Sequence, residues 1–129
     1  MTLTIQQQIF ARNVSKLIQF ANESGYEVTF GEAYRTIEQQ LIYFKSGKSK
    51  TMKSSHLTRL AIDLNLFVYG KYCTTREPYK PLADFWKSLN SANVAGYDWG
   101  WDANHFEMKE KNQPEKAAPV PSGTVKEGI

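Results

Sequence analysis

Ser54-Ser55-His56-Leu57-Thr58-Arg59-Leu60-Ala61-Ile62-Asp63-Leu64-Asn65-Leu66-Phe67-Val68 runs from a polar loop into the clearest strand of the chain. Ile62, Leu64, Leu66 and Val68 recur at period two and so share one face of a strand over residues 61–68. Ala61, Asp63, Asn65 and Phe67 take the other face. Asp63 therefore stands opposite the aliphatic stripe, yet inside an apolar run, where a carboxylate costs stability unless something pairs with it. His56 lies seven residues upstream. The other histidine of the chain, His105, sits in Trp101-Asp102-Ala103-Asn104-His105-Phe106-Glu107. His105, Glu107 and Lys109 fall on one face of a final strand, Phe106 and Met108 on the other. The two stretches are expected to meet.

The 129 residues suit one domain with a real core, and 41% hydrophobic with 13% aromatic residues argues against global disorder. A net charge of +3 suits an anionic partner without selecting one. Cys73 is the single cysteine, which excludes an internal disulfide and a cysteine-rich zinc finger. The segment Met1 to Gln8 lacks a charged start followed by an apolar core, so no secretory signal is read. No apolar run approaches the ~20 residues of a membrane span.

Residues 3 to about 23 read as an amphipathic helix on Ile5, Ile9, Leu17, Phe20 and Ala21, widened by Phe10, Val14 and Ile18, with Thr4 as N-cap and Gly25 as stop. Tyr26 to Phe30 alternates as a strand. Thr36 and Gln39 have capping-box spacing and open a second helix to about Lys45, with Ile37, Leu41 and Phe44 on one face, closed by Gly47. Arg35 precedes that helix at a strand-to-helix junction, a place from which a side chain can be held over a cleft. Residues 45–53 form a polar loop with four lysines. Tyr69-Gly70-Lys71-Tyr72 reads as a turn between strands. Pro81 suits the first turn of a third helix that buries Leu82, Phe85, Trp86 and Leu89. Trp99 and Trp101 suit a cleft wall and a core anchor equally. From Asn112 onward proline and glycine replace apolar periodicity, and a disordered tail is expected over 112–129, leaving 1–111 as the folded domain.

His56, Asp63 and His105 offer two imidazoles and one carboxylate, the nitrogen and oxygen donors zinc favours when three protein ligands leave room for a water. Asp102, in the turn before His105, is placed to take a proton as water attacks a carbonyl and to return it to a leaving amine. Arg35 is read as the partner of an oxyanion or of a substrate carboxylate. Glu107 and Ser54 are read as groups that orient ligands or substrate. A lone strand histidine is more often packed than ligating, and the His56–Asp63 spacing is generic, so the pattern alone leaves non-catalytic readings open.

Ser54-x-His56-x6-Asp63, with Ala61 two residues before the aspartate, resembles the S-x-H-x-x-G-x-A-x-D signature of the zinc D-Ala-D-Ala carboxypeptidase family, which includes VanY- and VanX-type enzymes and phage L-alanyl-D-glutamate endopeptidases. Asp102-x-x-His105-Phe106 resembles its second signature. Tyr34-Arg35-Thr36, Gln39-Gln40, Tyr43 and Gly47-Lys48-Ser49 resemble its upstream arginine segment. The motifs cover about residues 28–109 in the family's order. The resemblance implies an α+β fold, a small antiparallel sheet with packed helices of the Hedgehog/DD-peptidase-like kind. It implies one catalytic Zn2+ on His56, Asp63 and His105, Asp102 as base, Arg35 stabilising the transition state, and Ser54 contacting substrate. Two positions depart from the pattern. Arg59 replaces the usual glycine, which is expected to change the turn between the ligands and to add charge near the site. Asp102 replaces the glutamate of the dipeptidase branch, which is similar to the phage endopeptidases.

The function this implies is endolysin-type hydrolysis of the L-alanyl-D-glutamate bond of the peptidoglycan stem peptide. The alternatives are D-Ala-D-Ala carboxypeptidase or dipeptidase activity, and a non-catalytic zinc- or murein-binding module of a phage particle. The expectation is a monomer without nucleic-acid partner or membrane insertion, made in the cytoplasm and released to the wall with the help of a holin.

Overall fold

The computed structural model describes residues 1–111, so the expected tail over 112–129 lies outside the described residues. In chain order the elements are α1 (Leu3–Glu23), β1 (Glu27–Phe30), α2 (Ile37–Lys45), β2 (Ala61–Val68), β3 (Lys71–Tyr72), α3 (Lys80–Leu89), β4 (Asn93–Ala95) and β5 (His105–Met108). Short 3-10 turns lie at Ser55–Thr58, Glu77–Tyr79 and Gly96–Trp99. The sheet is antiparallel throughout, ordered β1-β2-β5-β4, with β3 pairing β2. This is the expected α+β architecture.

β2 has the bounds its alternation predicts, and Leu64 and Leu66 are fully buried. Against that stripe pack Phe10, Val14, Leu17 and Ala21 of α1 and Leu82, Ala83 and Trp86 of α3, with Phe106 from β5. Trp86 meets Phe10 edge-on at 5.5 Å and Phe106 at 6.0 Å. Its indole N–H donates to the carbonyls of Val94 and Glu107, so the buried ring leaves no polar atom unpaired. Two residues, Tyr69 and Gly70, join β2 to β3, both at positive φ as a tight two-residue hairpin requires.

Several local expectations need correction. The cap of α1 is Thr2, not Thr4: its hydroxyl accepts the Ile5 N–H. Phe10, Val14, Leu17 and Ala21 of the expected face of α1 are buried, but Gln6 and Asn13 join them and Ile5 turns out. Gln6 is held there because its amide donates to the carbonyls of Met1 and Lys111 and accepts from the Lys111 N–H. In α2 the expected capping hydroxyl is present, Thr36 accepting from Gln39 N. Its apolar residues, however, face outward: Ile37 is 62% exposed and Gln40 fully buried. β4 has no counterpart in the sequence reading.

Candidate metal centre

Strand register makes the site. Asp63 of β2 lies directly opposite His105 of β5, which brings the two stretches of sequence together. His56 arrives from the 3-10 turn, whose N-cap is Ser54: the Ser54 hydroxyl accepts the His56 N–H at 3.2 Å. Asp63 Oδ1 then lies 3.2 Å from His105 Nδ1 and 3.4 Å from His56 Nε2. One donor atom from each of the three residues falls within 4.8 Å of the others.

Each imidazole is oriented from behind. Glu107 Oε1 sits 2.7 Å from His105 Nε2, and the Ala33 carbonyl 3.5 Å from His56 Nδ1. The ring nitrogens that remain both face Asp63. Burial alone would raise the Asp63 pKa, but hydrogen bonds from His105 and His56 outweigh it and hold the carboxyl at about 2. Burial likewise opposes charge on His105, yet its bonds to Asp63 and Glu107 raise it to about 9. Glu107 is lowered against its burial by the same His105 contact. The arrangement is a concentrated, pre-oriented acceptor for positive charge.

Asp102 stands at the rim, with Oδ2 3.9 Å from His105 Nδ1. Burial raises its pKa, partly offset by His105 and reinforced by Asp63, so of the carboxylates here it is the one pushed toward proton uptake.

Arg35 is fixed beside the cluster. Its backbone N–H donates to the His56 carbonyl. Its guanidinium forms an ion pair with Glu32 and donates to Gln40 Oε1 at 2.7 Å and to Ser54 Oγ at 3.3 Å. Glu32 escaped sequence reasoning, and Gln40 stood in the upstream arginine segment without a role. The signal for Gln40 was a glutamine within an apolar helix, and its amide also reaches Ser49 and the Thr51 carbonyl.

Arg59 takes the left-handed conformation, φ 58 and ψ 34, that glycine adopts most readily. Arginine thus occupies a glycine-like backbone state, with its guanidinium 3.9 Å above the Tyr34 ring. Trp99 and Trp101 are not core anchors, being 41% and 78% exposed. Trp99 stacks 5.2 Å from the His105 ring.

Gly96 is a further missed position. A Cβ there would lie 2.1 Å from the Asp102 carbonyl oxygen and 2.9 Å from His105 Cβ. Gly96→Ala must push the Asp102–His105 loop away from the Gly96–Trp99 turn. The expected loss is at least ~1–3 kcal/mol, read as a lower denaturation midpoint at unchanged m-value.

No family profile matches the chain. It is 35% identical over 91 residues to the L-alanyl-D-glutamate peptidase of Listeria phage A118, a match covering 70% of this chain and 31% of that protein. The chain thus spans about a third of the length of that relative. Among solved structures it is similar to the Serratia marcescens L-Ala D-Glu endopeptidase ChiX, with TM-score 0.66 and 20% identity over 78% of this chain and 77% of the other. It is also similar to a variant of the vancomycin-resistance D,D-pentapeptidase VanY from a VanB-type cassette, in complex with Zn(II), with TM-score 0.51 and 17% identity over 77% and 70%. Those two likenesses place the fold, and the phage relative shows that the chain is similar, over 91 residues, to a phage L-alanyl-D-glutamate peptidase.

Proposed function

We propose that residues 1–111 form the catalytic domain of a zinc-dependent peptidoglycan peptidase that hydrolyses the L-alanyl-D-glutamate bond of the stem peptide. The observation that carries this reading is the His56–Asp63–His105 cluster, with two imidazole nitrogens converging on one carboxylate oxygen and Glu107 holding His105 from behind. Those donors fit zinc, and the outer carboxylate on His105 is the support that ligating histidines require. A zinc ion held by these three residues would supply Lewis acidity, lowering the pKa of water toward ~7 and polarising a carbonyl.

The protein groups divide the remaining work. Asp102, raised by burial and 3.9 Å from His105, takes the proton of the attacking water and passes it to the leaving amine. Arg35, pinned by Glu32, Gln40 and Ser54, offers positive charge to the developing oxyanion without having to be reoriented. Ser54 and Glu107 keep Arg35 and His105 in place. The identity with the phage peptidase favours the L-alanyl-D-glutamate bond over the D-Ala-D-Ala bond. Among the described residues no helix is long and apolar enough to cross a membrane. Action on the wall as a monomer, after holin-assisted release from the cytoplasm, belongs to the same proposal.

Mass analysis of muropeptides digested by the zinc-loaded protein tests it. Cleavage after L-alanine is the expected product pattern. Release of D-alanine or of the D-Ala-D-Ala dipeptide instead moves the assignment to the carboxypeptidase or dipeptidase branch. No cleavage at all leaves only a binding module.

A further inference from the structure

We propose that Trp99 and Trp101 form a stacking platform for a sugar ring, holding the glycan end of the substrate beside the metal centre. The inference rests on the peptidase reading above, because the stem peptide is joined to the wall glycan through its L-alanine. Trp101 is 78% exposed and Trp99 41%. Neither belongs to the core, so packing does not explain them. Their rings lie 5.8 Å apart at 33°, and Trp99 in turn lies 5.2 Å from the His105 ring at 34°. The platform therefore starts at a candidate metal ligand and leads outward.

The turn that carries it is braced. Arg76 donates to the Tyr97 carbonyl at 2.7 Å and lies 4.0 Å above the Tyr97 ring, and Lys87 pairs with Asp98 at 2.8 Å. Gly100, at φ 90, reverses the chain between the two tryptophans. Trp99, carried on that braced turn, loses little entropy when a ligand stacks on it.

Distance and surface chemistry both select the occupant. A sugar joined through one residue lies within about 7 Å of the scissile bond, two residue lengths. Trp99, 5.2 Å from the His105 ring, falls within that range, and Trp101, 5.8 Å from Trp99, carries the surface on past it toward the rest of the glycan. The other opening beside the site, a cavity of about 500 Å3, is lined by Lys53, Ser54, Glu107, Lys109 and Glu110 among others. Its two lysines and two glutamates make it polar, unlike the indole surface. The uncharged indole faces match the C–H face of a pyranose.

The test is a titration of peptide-free wall glycan, a tetrasaccharide of alternating N-acetylglucosamine and N-acetylmuramic acid, followed by tryptophan fluorescence. A saturable change is expected, weakened about tenfold in Trp101→Ala. The thermal melt of that variant should match wild type, since the side chain is exposed. In cleavage, wild type should favour a glycan-linked stem peptide over the same peptide without sugar through a lower KM, and Trp101→Ala should erase that preference. Absence of saturable glycan binding, or a preference that survives in Trp101→Ala, overturns the platform. If wild type binds glycan but cleaves neither substrate, the platform stands and the peptidase reading falls.

Discussion

Asp102→Ala is expected to lower kcat/KM on muropeptides by about a hundred- to ten-thousand-fold while zinc content stays at the wild-type level. The two halves of that result come from different distances. Asp102 is not one of the three residues whose donor atoms converge, and its carboxylate reaches only to 3.9 Å from His105 Nδ1. Its removal leaves Asp63, His56 and Glu107 in their present contacts. What is lost is the carboxylate whose burial favours proton uptake. Zinc analysis by mass spectrometry beside a cleavage assay separates the two. Full activity in the variant would refute the role of base, and zinc loss would make Asp102 a ligand instead.

His56→Ala should abolish both metal and cleavage. His56 is buried, its Nε2 faces Asp63 Oδ1 at 3.4 Å, and among the described residues no further histidine or cysteine joins the cluster. Two donors would remain of three. At free zinc a few hundred times its dissociation constant, wild type should be stabilised by roughly 3–4 kcal/mol over the variant. A chelator should lower the wild-type melting temperature toward that of His56→Ala and leave the variant's almost unmoved. Equal zinc content in the two proteins would remove His56 from the ligand set.

How far the sequence carried these conclusions differs from element to element. β2 was legible because its alternation is strict and its burial one-sided, and the Asp63–His105 pairing follows once β5 lies beside it. α2 misled because periodicity registers apolar residues and not polar partners. Gln40 turns inward since Arg35, Ser49 and Thr51 satisfy its amide there, leaving Ile37, Leu41 and Phe44 exposed. β4 is three residues long, too short for a period to appear. Arg59 could be noticed as a departure but not resolved, because no local rule says that an arginine will accept a left-handed backbone. Of the site, the three converging residues and Asp102 were named in advance. Glu32 and Gly96 were not, and Gln40 stood only as a position in the arginine segment, since what they do lies in contacts with Arg35, Asp102 and His105 that only the fold brings about.

One side chain also decides how this fold can be rewired. Gln6 touches Met1 and Lys111 together, so the start of the chain and residue 111 leave from the same corner. A short peptide could join them, with new termini opened at Tyr69–Gly70, where Tyr69 is 97% exposed. Such a circular permutant would keep every strand pairing of the metal centre and free the original corner of both ends.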